Sequence, residues 1–354
     1  MKKTVTAVFD IGKTNKKFFL FDDEFQEVYR EYVQFDEITD EDGHPTEDLS
    51  ALRDWLKTVF DRMLKTEKYE IKAINFSSYG ASLVHLDENR DVIFPLYNYT
   101  KSIPQNIIDS FYEKYGPEAD FHQKTGSSSS GMLNAGMQLY WLKNTKPEVF
   151  KKIRYSLHLP QYLSFVFTGI PLSEYTSIGC HTSLWDFEKR DYHDWVYAEN
   201  LDQILPPIVS TETSINMNYN GKRIKIGVGI HDSSAALLPY VRSLKNQFIL
   251  ISTGTWSIAL NPFVERTLSK KDVADDCINY MRINGKPVKS ARLFLGNEYS
   301  IQVKKLTEHY QVDKDYHKTV KFDPEIHYEI VKEFEKIFKW ESIEDPEMPE
   351  ETHL

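Results

Sequence analysis

Residues 5–21 read VTAVFDIGKTNKKFFLF. Apolar side chains alternate through Val5, Ala7 and Phe9, and again through Phe19 and Phe21, with a polar segment at Gly12-Lys13-Thr14-Asn15 between the two runs. A period of two broken by a glycine-containing tip predicts a strand–turn–strand hairpin. Gly12 allows a tight turn and a close backbone approach to a ligand. Lys13, Lys16 and Lys17 gather positive charge around that turn, and its backbone N–H groups can form an anion nest. Asp10, at the end of the first strand, offers the hard oxygen that magnesium takes directly or through water. Taken alone, the same residues also describe a hairpin with a charged, solvated tip.

A second stretch repeats the pattern. Residues 248–260 read FILISTGTWSIAL, again two apolar runs about a Gly/Thr tip. Thr253 and Thr255 supply hydroxyls, and Gly254 brings backbone N–H groups within reach of phosphate oxygens. Just before it, Arg223–Val228 reads as a strand, and Ser233–Leu238 has helix-forming character. The junction, Gly229-Ile230-His231-Asp232-Ser233, presents a carboxylate where helical N–H groups converge. An aspartate there is also a good helix N-cap, which is the plain structural alternative. The two glycine-containing tips favour chemistry: phosphates held at the tips, with Asp232 as the base beside them.

Working outward, Ser50–Lys65 places Leu52, Leu56, Phe60 and Leu64 on one helical face. Lys72–Phe76 reads as a strand that ends in Ser77-Ser78-Tyr79-Gly80, and a turn of small residues after a strand is a common ligand contact in α/β proteins. Apolar runs follow at Leu83–Leu86 and Val92–Leu96, then the polar–aromatic segment Tyr97–Lys101. The alternation of strands and helices predicts an α/β fold. Gly126–Gly131 is serine-rich but lacks the lysine of a P-loop. Pro160 opens a helix over Gln161–Phe167 that stops at Thr168-Gly169. His181 has no partner at metal-ligand spacing and reads as an ordinary histidine.

The 354 residues carry a net charge of −10 and no long basic run, which argues against a nucleic-acid surface. Only Cys180 and Cys277 are present, which suits a reducing cytoplasm better than a disulfide framework. No apolar stretch is long enough to span a membrane as a helix. The partners expected are therefore a small molecule and no nucleic acid or membrane, with a homodimer left open.

Together, DIGKTNKK, GIHDSSAALLPY, STGTWS and HLPQYLSFVFTG resemble the FGGY carbohydrate kinases of the actin–hexokinase–Hsp70 superfamily. Lys13 stands where that family usually has threonine, and Gln161 where it usually has aspartate. The segments SSYGASLVHLD, His231-Asp232 and GTWS lean towards rhamnulokinases. The resemblance implies a ribonuclease-H-like, two-domain α/β ATPase fold of the actin/hexokinase type. Residues 1–240 would be the sugar-binding domain and residues 241–354 the start of the nucleotide domain. The family's glycine-rich adenine-binding element is not found, so that second domain is expected to be incomplete. The implied activity is ATP-dependent phosphorylation of a ketose such as rhamnulose, fuculose or xylulose. Asp232 would be the base and Asp10 the magnesium ligand. Gly12, Lys13, Thr14, Asn15, Lys16, Lys17, Thr253, Gly254 and Thr255 would hold phosphates. Ser78, Tyr79, Gly80, His231 and Ser233 would contact the sugar. A non-catalytic sugar-binding remnant and a different ATPase of the superfamily are the alternatives.

Overall fold

The hairpin over residues 5–21 forms in the computed structural model, which describes residues 2–253, 257–293 and 295–337. Strand β1 (Lys3–Ile11) pairs antiparallel with β2 (Lys16–Phe21), and β2 pairs antiparallel with β3 (Glu27–Val33). Helix α1 (Leu49–Lys65) follows, capped by Asp48, whose carboxylate accepts the Ser50 and Ala51 N–H groups at 2.9 Å. That cap satisfies donors the first turn cannot pair internally. The chain then crosses to β4 (Tyr69–Ser78), which runs parallel to β1 from Lys3 opposite Tyr69 to Ile11 opposite Ser78.

Next, β5 (Leu83–Leu86) pairs antiparallel with a later strand, β6 (Tyr155–His158), outside the main sheet. Between them lies α2 (Ala135–Thr145), buried along most of its length. Residues Val92–Leu96 form no strand and contribute only isolated bridges, Leu86 to Val92 and Glu47 to Leu96. Helix α3 (Leu159–Thr168) begins with Pro160 in its first turn and ends at Gly169 in the left-handed conformation, as its sequence predicts. The short helix α4 (Tyr175–Ile178) comes next. The hairpin β7 (Ser214–Tyr219) and β8 (Lys222–Gly227) then returns to the sheet beside β4. The two-residue β9 (Ile230–His231) continues along β4 and leads into α5 (Asp232–Ser243). The order across the seven-stranded sheet is β7-β8-β4-β1-β2-β3, with β9 also on β4. An antiparallel trio extended by parallel strands is the ribonuclease-H-like arrangement expected from the sequence.

The alternation in β1 decides the core. Val5, Ala7, Phe9 and Ile11 are buried, and Phe9 packs against Phe18, Trp55, Phe76 and Phe167. Thus α1 and α3 meet the same face of the sheet, and burial of these rings supplies its main stabilisation. A second cluster, centred on Phe111, Phe121, Tyr140 and Trp195, packs the helical region between β4 and β7.

By internal contacts the chain divides into two units: Met1–Leu250 with Ala259–Ala291, and Ile251–Ile258 with Arg292–Leu354. The first unit includes β10 (Ile278–Met281), which pairs antiparallel with the Pro287–Ser290 part of β11 (Pro287–Leu293) about the Asn284-Gly285 turn. The second includes helices Leu295–Tyr310 and Pro324–Ile337. Among the described residues, no helix is long and apolar enough to cross a membrane.

Candidate functional site

Three strands end side by side. In β1, β4 and β9, Asp10, Ser77 and Ile230 lie level with one another, as do Ile11, Ser78 and His231. All three strands are parallel, so Asp10 and the Asp232 that follows β9 emerge at the same, carboxyl end of the sheet. They are separated by two strand spacings, about 10 Å across the sheet. That end is where open α/β sheets bind ligands.

The sequence between β8 and β9 makes this placement work. Gly229 has φ +88°, and a Cβ on it would lie 2.3 Å from the Pro160 carbonyl oxygen. A Cβ on Gly227 would meet the Asn75 side-chain oxygen at the same distance. At Gly229 the neighbour is backbone and φ is positive, so only glycine fits there. The strand therefore breaks against β4 and resumes for two residues before α5 begins.

Asp232 is the first residue of α5, and His231 occupies the cap position with no side-chain capping bond. The N-cap alternative for Asp232 is thus not what the structure shows. Its Oδ1 instead accepts the Ser233 N–H at 2.6 Å and the Ser233 hydroxyl at 3.2 Å, and it lies 3.1 Å from His231 Nε2. Close packing raises the Asp232 pKa above the usual carboxylate value, against the lowering effect of the Ser233 bonds and of His181. Even so, 39% of the side-chain surface stays open to solvent. A crowded carboxylate with an open side is a stronger base than a solvated one.

His231 is buried, and desolvation lowers its pKa to about 4, so its ring is neutral at pH 7. Among the described residues its Nδ1 has no hydrogen-bond partner, whereas Nε2 lies beside both Asp232 and the Cys180 thiol, the latter at 3.2 Å. A buried lone pair costs less than a buried unpaired N–H, so the proton belongs on Nε2, donated towards Asp232. The Tyr280 ring stacks on His231 with centroids 5.6 Å apart. Gly80 backs the same group: a Cβ there would sit 3.1 Å from Cys180 Sγ and 3.2 Å from the His231 ring. Burial, then the charges of Asp232 and Glu174, push the Cys180 thiol pKa well up, which keeps it protonated. Burial and Asp232 likewise raise the Tyr99 pKa.

The first tip is less uniform than its sequence suggests. Asp10 Oδ2 lies 3.2 Å from Lys17 Nζ, with both side chains about one-third exposed. Lys13 pairs with Glu37 at 2.9 Å, and Asn15 accepts from Gln34 at 2.6 Å. Gly12 and Thr14 lie at the turn, closed by the Gly12 N–H to the Asn15 carbonyl at 2.9 Å. Lys16, however, points inward. It is 2% exposed and ion-paired with buried Glu47, which also accepts the Tyr79 hydroxyl at 2.5 Å. Ser78 is buried too, its hydroxyl bonded to the Tyr79 carbonyl. Lys16, Ser78 and Tyr79 thus support the site from within, while His231 and Ser233 flank Asp232 and Gly80 lies against the His231 ring.

Thr253 is exposed and belongs to the second unit, and Gly254 and Thr255 lie outside the described residues. Among the described residues, no three His, Cys, Asp or Glu side chains gather as a metal cage. A single part-exposed carboxylate such as Asp10 instead fits magnesium that arrives with phosphate oxygens and water as its other ligands. Sequence reading missed Thr176 and Glu174, whose only local signal is an acidic residue before a short helix. It also missed Cys180 and Tyr280, which carry no local signal.

Comparison with known proteins agrees with this fold. The profile of the N-terminal domain of the FGGY family of carbohydrate kinases matches residues 5–237, and that of the FGGY C-terminal domain matches residues 245–326. The chain belongs to the FGGY family of carbohydrate kinases, built on the actin/hexokinase-type ATPase fold. It is 25% identical over 204 residues to a rhamnulokinase of Oceanobacillus iheyensis, covering 54% of this chain and 41% of that protein. A xylulose kinase of Lactococcus lactis is 26% identical over 201 residues, covering 52% and 38% respectively. The crystal structure of a carbohydrate kinase from Novosphingobium aromaticivorans superposes with a TM-score of 0.75 at 28% identity, covering 86% of this chain and 66% of that one. The chain spans about half the length of the curated relatives it matches.

Proposed function

We propose that this chain serves ATP-dependent phosphorylation of a ketose hydroxyl, with Asp232 as the general base. The observation that carries the reading is the Asp232 carboxylate itself: crowded, raised in pKa, and open on one side at the carboxyl end of the parallel strands. In this reading the sugar lies against Gly80, His231 and Ser233. His231 Nε2–H and the Ser233 donors hold Oδ1 of the base, and Asp232 takes the hydroxyl proton as the sugar oxygen attacks the terminal phosphorus. Phosphoryl transfer asks mainly for positioning and charge neutralisation. The β1–β2 turn, with Lys13, Thr14, Asn15 and Lys17, supplies donors for phosphate, and Thr253, Gly254 and Thr255 are assigned the same task. Asp10 would hold the magnesium that offsets phosphate charge. Rhamnulose and xylulose are the first sugars to try, from the names of the relatives. Two buried free cysteines suit a reducing cytoplasm. Whether two copies of the chain associate is a separate question, to be read by light scattering.

The test is sugar-dependent ADP release by the purified chain over a panel of ketoses, with Asp232→Asn alongside. Turnover should fall at least about a thousandfold in Asp232→Asn, with sugar binding by calorimetry retained. Near-normal turnover would remove Asp232 from the role. Sugar binding without ATP binding or turnover would favour the non-catalytic reading, and ADP release indifferent to sugar would favour a different ATPase.

A further inference from the structure

Behind the His231–Asp232 pair lies a buried carboxylate that the reaction itself does not require. Glu174 is 0% exposed and, among the described residues, forms no ion pair. Its charge is met by neutral donors instead. Oε2 accepts the Thr176 N–H at 2.9 Å and the Thr211 hydroxyl at 2.6 Å. Oε1 accepts the Ser177 N–H and the Thr176 hydroxyl, each at 2.6 Å, with the Gln161 amide at 3.5 Å. Leaving such a group unpaired in the interior is costly, and so is disturbing any one donor.

Two of these donors lead to the site. The Thr176 hydroxyl donates a hydrogen bond to Glu174 and accepts one from the backbone N–H of His231 at 3.1 Å. The Gln161 amide that touches Glu174 also reaches the carbonyls of Val228 and Gly229, at 3.4 and 3.3 Å. These are the residues over which the strand breaks before β9. Both the broken segment and the backbone of His231 are therefore tied to one anion. From His231 the chain of contacts runs through Nε2 to Asp232 Oδ1. A cap for α4 needs only the Thr176 and Ser177 N–H groups. The bonds from the two threonine hydroxyls, and the relay to His231, exceed that need.

We propose that Glu174 is a positioning residue for Asp232, acting through Thr176 and His231 to fix the imidazole that orients the base. The inference rests on the reading of Asp232 as the general base. Its geometry makes Thr176 the relay: the hydroxyl must be present, and the methyl only fills space.

Removing Glu174 would strand several buried donors and threaten folding, so the informative variant of the full chain is Thr176→Val. It keeps side-chain volume and both backbone N–H bonds to Glu174, and it removes the two bonds of the hydroxyl, the one given to Glu174 and the one accepted from the His231 N–H. With the sugar that supports turnover, kcat should fall about tenfold, the equivalent of one hydrogen bond. KM for ATP should stay unchanged, and Thr176→Ser should restore kcat. The His231 imidazole ¹⁵N resonances, assigned by their loss in His231→Gln, should move in Thr176→Val and return in Thr176→Ser. Unmoved resonances with wild-type kcat would overturn the proposal. So would a Thr176→Ser variant as impaired as Thr176→Val, since the methyl and not the hydroxyl would then matter. Full turnover in Asp232→Asn would defeat the base reading instead. If the wild-type chain shows no sugar-dependent turnover, the kinase reading falls and the resonances alone decide the positioning.

Discussion

Lowering the pH should destabilise the first unit in a window set by three buried histidines, His85, His158 and His231. Burial lowers His85 to about 3 and His231 to about 4, and burial together with the His231 charge lowers His158 to about 4, all from an ordinary 6.5. The unfolded chain thus takes up protons that the folded chain refuses. Stability is complete above pH 6.5 and is lost as pH falls through the interval from 6.5 to about 4. At pH 5 each unfolded imidazole holds nearly a whole proton and each folded one almost none. Integrating from pH 7.5 to 5 gives about 2 kcal/mol per histidine, or about 6 kcal/mol for the three. That is comparable to the whole stability of an ordinary domain. Carboxylates held low by cations act later: Glu199, held at about 2 mainly by Lys114, Lys143 and Tyr115 against its desolvation, gives up its contribution only as pH falls below 4.5. Urea unfolding followed by tryptophan fluorescence, repeated from pH 7.5 to 5, measures the slope. His85→Gln keeps a hydrogen-bonding group near Ser156, which lies 2.9 Å from His85 Nδ1, but cannot titrate. It should remove about one-third of what these three histidines contribute to the pH dependence. An unfolding free energy that stays flat across this range, or a slope that His85→Gln leaves untouched, would refute the reasoning.

Two substitutions test the scaffold around the site. Lys16→Met leaves the buried Glu47 carboxylate without its cation and should cost about 3 kcal/mol in urea unfolding, much of it recovered in the double variant Lys16→Met/Glu47→Leu; an unchanged midpoint would mean that the pair is solvated. Gly229→Ala forces a Cβ to within 2.3 Å of the Pro160 carbonyl at a φ of +88°, so it should cost about 2–3 kcal/mol and lower sugar affinity together with Tm, and wild-type values of both would mean that the strand break tolerates a side chain.

The parts of this fold that were legible in the sequence are those whose physics is local. Alternation through Val5, Ala7 and Phe9 reports a half-buried strand because side chains change face at every residue. The same rule held a clue about Lys16, which shares its face with Phe18 and Leu20, both fully buried. A lysine in register with core residues announces a buried partner, but nothing local names Glu47, 31 positions away, so by sequence alone the charge reads as part of the phosphate tip. The relay behind Asp232 was hidden for the same reason: Thr176 and Cys180 reach His231 from 55 and 51 residues away. Their chemistry exists only once α4 has packed against β9. Gln161 shows the limit most clearly. Its departure from the aspartate usual in the family could be seen in the sequence, yet its meaning comes from its neighbours. An amide there offers two N–H groups to the three oxygens around it, Glu174 Oε1 and the carbonyls of Val228 and Gly229, at 3.3–3.5 Å, whereas an ionised carboxylate could only accept. In this chain the side chain at position 161 therefore acts as a clamp on the strand break, and the break in turn delivers Asp232 to the end of the sheet where Asp10 already stands.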